Sequence, residues 1–273
     1  MKKILLSAML FCGATVIASE LWLWPQRFHF EPGETAIITQ RTGNLYASST
    51  AYNNTIISNI STHYLPNKQV NHLPVTQSNN EPNTVILTDL PSGTHMLTHA
   101  SSSDTMEVTT DTLKAYFKYQ QLSTHPLTAA TVVRWHNCAK TIFQVGAPIT
   151  NNLTVNVMQP TTLTLDIIPI THPQQPTADN TSYSCEFQVN FNGTALANQI
   201  IEVWHSNAAS PQKLTTNRKG RVTVTIAKGH YMLTTYHSLL ATNTPKPMVE
   251  AYFGSLTLST PKGNIFLKRS SKN

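Results

Sequence analysis

The stretch from Cys185 to His237, CEFQVNFNGTALANQIIEVWHSNAASPQKLTTNRKGRVTVTIAKGHYMLTTYH, alternates apolar and polar side chains in four separate runs. Phe187, Val189 and Phe191 form the first, closed by Asn192-Gly193. Ile201 and Val203 form the second, alternating with Glu202 and Trp204. Val222, Val224 and Ile226 follow Asn217-Arg218-Lys219-Gly220, and Tyr231, Leu233 and Thr235 follow Gly229. Side chains leave a strand on alternate faces, and Asn or Gly accepts the positive φ of a tight turn. Four such runs in succession predict a β-sandwich.

The rest of the chain suits the same class. Hydrophobic residues make up 40% of the sequence, enough for packed cores, while charged residues make up only 12%, about half the usual share. Thr, Asn and Ser take their place on the solvated faces. The 273 residues allow two domains of ordinary size. Before the organising stretch, Glu31-Pro32-Gly33-Glu34 reads as a turn before a strand at 35–39. Strands are predicted at Thr84–Thr88, His95–Thr98, Thr141–Val145, Leu153–Val157 and Leu163–Ile168, and afterwards at Ala251–Leu258 and Ile265–Leu267. Residues 43–83 are polar and aperiodic and read as a long excursion with one short strand at Ile56-Ile57. The period changes at Asp111, where Leu113, Tyr116 and Phe117 share one helical face, and a second helix is predicted from Thr128 to about His136. The proline-rich, apolar-poor run at 171–182 reads as a linker. The expected organisation is a leader at 1–18, a β-rich domain at 19–170 with helical insertion, a linker at 171–182, a β-sandwich at 183–267 and a basic tail at 268–273.

Lys2-Lys3, the apolar run Ile4–Ala18 and the small-residue pattern Val16-x-Ala18 make a secretory signal. Its apolar run is shorter than the roughly 20 residues that span a bilayer, and no other long apolar segment exists, so no transmembrane segment is expected after cleavage. Export makes an oxidising compartment, the periplasm or the medium if the chain is secreted, the expected address. There Cys138 and Cys185 are either a disulfide, stabilising by about 4 kcal/mol in the chain-entropy model, or two separate buried thiols. The formal charge is +6, but Lys2, Lys3, Lys268, Arg269 and Lys272 lie in the leader and tail. The body carries no basic stripe with interleaved aromatics, which excludes nucleic acid as the expected partner.

Catalytic signatures are absent. There is no Gly-x-Ser-x-Gly elbow, no glycine-rich phosphate loop and no close pair of carboxylates, so no enzyme is expected. Eleven histidines are the unusual supply of reactive groups. His95 and His99 fall on one face of a strand but about 13 Å apart, and His230 and His237 fall on opposite faces. Spacing alone therefore supplies no metal motif. Trp22, Trp24, Trp135 and Trp204 either line a sugar-binding face or pack in the core.

ELWLWPQRFHFEPGE after the leader resembles the opening of exported bacterial proteins classed as a domain of unknown function and labelled as a nickel-uptake, NikM-like component. PSGTHMLTHASS, AKTIFQVG, LTLDIIPITHP, NGTALANQIIEVW, TTNRKGRVTVTI, GHYMLTTYH and AYFGSLTL are similar to segments of that family, in the same order. The resemblance implies two β-sandwich domains, immunoglobulin-like or transthyretin-like, in a periplasmic accessory protein working with an envelope transport system. It also implies a transition-metal ion, nickel, cobalt or copper, with His95, His237 and Glu250 as ligands. Relatives often carry His beside the cleavage site, where this sequence has Ser19. The alternative expectation is a structural or interaction module of the envelope that binds a protein or a glycan.

Overall fold

The computed structural model describes residues 20–43, 56–73, 84–103, 105–119, 131–147, 155–174, 182–241 and 248–260. The leader, the strand expected at 265–267, the basic tail and residues 175–181 of the expected linker lie outside the described residues. In chain order the elements are β1 (Leu21–Pro25), β2 (His29–Phe30), β3 (Ala36–Thr42), β4 (Ile56–Tyr64), β5 (Val70–Leu73) and β6 (Thr84–Leu87). Then come β7 (Gly93–Ser103), β8 (Met106–Val108), α1 (Thr110–Tyr119), β9 (Thr131–Val145) and a 3-10 turn at Val155–Met158. The second half holds β10 (Leu165–Pro169), β11 (Ser182–Phe191), β12 (Thr194–Ala195), β13 (Ile200–His205), β14 (Gln212–Thr215), β15 (Arg221–Ala227), β16 (His230–Ala241) and β17 (Met248–Ser259).

The protein is mainly β, with sheets packed face to face as a sandwich. A ten-stranded sheet follows the order β14-β13-β16-β17-β9-β7-β4-β5, with β2 and β8 also paired to β9. The seam is parallel: β17 pairs with β9 from Met248↔Val132 to Thr257↔Thr141. Strands from both sides of 171–182 thus share one sheet. On one face lies the three-stranded sheet β1-β3-β6, and on the other the four-stranded sheet of β10, β11, β12 and β15.

Strand parity shows why both faces are buried. Cys138 and Ile142 on β9 point into one core with Leu165, Ile167, Phe187, Val189, Val224 and Leu256. Ala139, Phe143 and Val145, one residue out of step, point into the other with Leu21, Leu23, Ile38 and Val85. The same parity holds on β7, where Met96 joins the first core and Leu97 the second. The two expected sandwiches therefore share their middle layer. A third cluster seats Leu113 and Phe117 of α1 on Val133, Trp135, Val249 and Ala251, on the three-stranded-sheet side. The helical face read from the sequence is the one that packs.

Local chemistry fits the elements. Asn192 and Gly193 sit at φ 49° and 77°, the positive pair that a two-residue hairpin requires, and they join β11 to β12. At Gly254 a Cβ would lie 3.1 Å from the Leu165 side chain, so the missing side chain lets β10 approach β17.

Three expectations are corrected. Residues 131–136 are strand, not helix: Val133 and Trp135 are buried, Val132, Arg134 and His136 half-buried, and β-branched Val132-Val133 suits a strand with partners on both edges. The described part of 153–157 is a 3-10 turn. The excursion at 43–83 contains β4 and β5. Ser61, Thr62 and His63 on β4 are all buried and satisfied by side-chain hydrogen bonds, so hydropathy does not alternate there.

A close β10–β17 approach has a direct test. Gly254→Val is expected to lower stability by about 1–3 kcal/mol through overpacking against Leu165, read as a lower urea midpoint. Thr223→Val, at an exposed position on β15, should leave the midpoint nearly unchanged.

Candidate functional site

The long strands run past the four-stranded sheet and leave a half-buried shelf on that face. Its residues follow from register. Leu239 on β16, Glu250 on β17 and Arg134 on β9 form one row, and His237, Tyr252 and His136 form the next. Even-numbered residues on β9 and β17 share this face with Cys138 and Leu256, and odd-numbered residues on β16 share it with Leu233.

The rows are joined by contacts. His136 Nε2 lies 2.5 Å from Glu250 Oε2, and because a carboxylate only accepts, Nε2 carries the proton. Arg134 Nη1 reaches Glu250 Oε1 at 3.4 Å. The imidazole of His136 stacks on Tyr252, ring centroids 4.5 Å apart and planes 12° from parallel. Phe191 at the end of β11 meets the Tyr252 edge at 5.0 Å and lies 4.4 Å from the His237 ring. Burial and the Glu250 charge raise the Tyr252 phenol above its ordinary range, so it stays a neutral hydrogen-bond donor. One carboxylate is shared by two donors, and aromatic rings hold the row flat.

His95 lies elsewhere. It is fully buried on the opposite face, under the three-stranded sheet. Its Nε2 is 2.8 Å from the Pro91 carbonyl oxygen and carries the proton, so its Nδ1 accepts from His63 Nε2 at 3.0 Å. The two imidazoles stack on each other and on Phe143. Both ring nitrogens of His95 are thus engaged within the protein. Burial lowers His95 to about 4, and burial with the neighbouring His95 lowers His63 to about 3. Burial alone lowers His99 to about 4; its Nδ1 lies 2.9 Å from Ser61 Oγ and 3.2 Å from Gln40 Nε2. His172, against Thr94, is likewise lowered to about 4.

The structure therefore brings together two of the three expected ligands, His237 and Glu250, on one shelf, and places His95 across the sheet from them. His136, the residue that completes the shelf, was not singled out from sequence; once 131–136 is read as strand, its parity with Arg134 exposes it. Among the described residues no group of three or more His, Cys, Asp and Glu side chains converges closely enough to hold a metal ion. His95, across the sheet, cannot share one donor set with His237 and Glu250. Cys138 and Cys185 are free thiols in the same core, pushed up by burial to about 11 and about 12. Trp22 and Trp135 are buried; Trp24 packs edge-on against Trp22 and Phe28.

A family model described as a domain of unknown function, DUF4198, matches residues 16–239. The chain belongs to that family. No curated protein matches this DUF4198 chain. Among solved structures it is similar to a DUF4785 family protein from Legionella pneumophila, at 10% identity and TM-score 0.25, over 79% of this chain and 51% of that one. The DUF4198 chain spans about half the length of that protein. It is also similar to the human OSCAR ligand-binding domain, at 10% identity and TM-score 0.21, over 88% of this chain and 97% of that one. Fibronectin(III)-like modules of Clostridium thermocellum CbhA align at 9% identity and TM-score 0.19, over 87% and 94% of the two chains. No helix among the described residues is long and apolar enough to cross a membrane.

Four buried neutral imidazoles make stability depend on pH. Each binds a proton below about pH 6.5 when unfolded but only near pH 3–4 when folded. The unfolded state therefore holds more protons in that window, and stability falls as pH drops from 6.5 towards 4, by up to about 1.4 kcal/mol per pH unit for each group. Glu20, raised by burial, works in the opposite direction. Urea midpoints should be level above about pH 7 and fall through this window, and His63→Leu with His95→Leu should flatten the fall. A level profile down to pH 4 would contradict the burial of these rings.

Proposed function

We propose that this chain is a non-catalytic β-sandwich interaction module of the cell envelope that holds a protein partner on the β9/β17/β16 shelf. The observation that carries it is the pair of rows Leu239–Glu250–Arg134 and His237–Tyr252–His136. Tyr and Arg are the side chains most enriched among residues that dominate protein–protein binding energy. Here they stand on paired strands, so little order is lost on binding. Leu239 adds an exposed apolar side chain at the row's end. Each formal charge in the rows already has an opposite neighbour, which suits a protein surface better than a polyanion. Tyr252 has its ring stacked on His136, so its face is less suited to a sugar. The leader-like first 18 residues support export to the periplasm.

Transition-metal handling, with nickel, cobalt or copper as cargo for an envelope transport system, is the finer reading implied by the family resemblance. The geometry favours it less, because His95, His237 and Glu250 do not converge.

A photo-crosslinking side chain at Leu239, introduced into the full exported chain in cells, tests the proposal. The expected result is a discrete protein adduct that Tyr252→Ala weakens by about 2 kcal/mol or more of binding, near 30-fold. The same probe at Thr223, on the exposed outer face of the four-stranded sheet, should give none. Equal adducts from both positions, or a shelf that retains only free glycans on an array, would replace this reading.

A further inference from the structure

We propose that Lys140 and Asp166 condense into an intramolecular amide that links the ten-stranded sheet covalently to the four-stranded sheet. Lys140 stands mid-way along β9 and points, with Cys138 and Ile142, into the core shared with β10. Asp166 is the second residue of β10, and its buried carboxylate meets the end of the Lys140 side chain. The ammonium Nζ contacts Asp166 Oδ1, and the two side chains are 1% and 3% exposed.

Three features of this pair go beyond an ion pair. First, the attacking atom is held: Nζ also donates to the Ile167 carbonyl at 3.1 Å. Second, the other carboxyl oxygen sits in a two-donor hole. The Thr161 backbone N–H and hydroxyl reach Asp166 Oδ2 at 2.8 and 3.0 Å. Donors on that oxygen draw charge from Cγ and stabilise the oxyanion of a tetrahedral intermediate. Third, the surroundings are dry. Asp166 and Lys140 are both buried, and burial pushes the nearby Cys138 thiol up to about 11. A buried ion pair gains little over an apolar replacement, because two charges have been desolvated. An amide removes both charges, and two groups held in contact react with a high effective concentration.

The step balances without a co-reactant. The ammonium passes one proton to Oδ1, with which it is already in contact. The Nζ lone pair then attacks Cγ, and negative charge develops on Oδ2 within the Thr161 hole. Collapse breaks the Cγ–Oδ1 bond; Oδ1 takes a second proton from nitrogen and leaves as water. The product is a neutral amide whose carbonyl oxygen is the former Oδ2, still accepting from Thr161.

The full chain, exported, purified, denatured and reduced, is weighed by intact mass spectrometry. The expected mass is one water below that of the processed sequence, with a branched proteolytic peptide joining Lys140 to Asp166. Lys140→Arg and Asp166→Ala should appear at full mass, and Thr161→Val should leave a detectable uncondensed fraction. Wild-type protein at full mass after prolonged incubation in its folded state overturns the proposal. So does a water loss that persists in Lys140→Arg. If Lys140→Arg does not fold, the wild-type mass and the branched peptide decide the matter alone.

Discussion

β9 is covered on every side between about residues 137 and 145. It has β7 on one edge and β17 then β2 on the other, and a sheet on each face. No polar atom on this stretch can rely on bulk water, so each must be satisfied inside the protein. The chain meets that demand with short, specific pairs. Thr257 donates to Thr141 at 2.8 Å, Thr94 donates to Gln144 at 2.8 Å, and Asn137 Oδ1 accepts from the Leu21 amide at 3.4 Å. Lys140 meets Asp166. The low charged content read from composition has its structural counterpart here: hydroxyls and amides, cheaper to bury than charges, carry most of the work between layers.

The two faces solve the same problem differently. Towards the three-stranded sheet the buried polar groups include the neutral imidazoles of His63, His95 and His99 with hydroxyls such as Ser61 and Thr141. Towards the four-stranded sheet lie Lys140 and Asp166, and also Gln144, Thr94 and the imidazole of His172. Titration on the first face weakens packing as pH falls, because the fold holds neutral rings that water would protonate.

Much of the architecture is legible from single residues. The runs Phe187-Val189-Phe191 and Val222-Val224-Ile226 alternate because one side of the four-stranded sheet faces solvent, and period two is visible only when one face is wet. Leu113, Tyr116 and Phe117 are legible for the same reason on a helix. The signal fails where both faces are buried. β4 and β7 carry Ser61, Thr62, His63, Thr98 and His99 in the interior, so polar residues there mark hydrogen bonds, not solvent. The site was half legible: His237 and Glu250 lie on the shelf, but their neighbour His136 depends on the parallel β9–β17 seam, and no local spacing encodes a pairing between residues 116 positions apart. His95 is expected as a ligand from the family resemblance alone; the structure buries it and engages both its ring nitrogens within the protein.

The same seam orders events during folding. β17 is the last described strand, and β9 lacks its parallel edge until β17 arrives. Pairings of such long sequence separation form late, because loop closure must precede the contacts that reward it. Lys140 stays solvated until then: Leu256, its register partner across the seam, forms part of the wall that closes its core. A hydrated amine and carboxylate do not condense, since water solvates both charges and competes for the Thr161 donors. The covalent link would therefore form only in chains that have already closed the middle layer, and it would record native closure without directing it. The shelf depends on that closure too, because Arg134 and His136 meet Glu250 and Tyr252 only across β9 and β17. Partner binding and the amide would thus report the same structural event from opposite ends of one pair of strands.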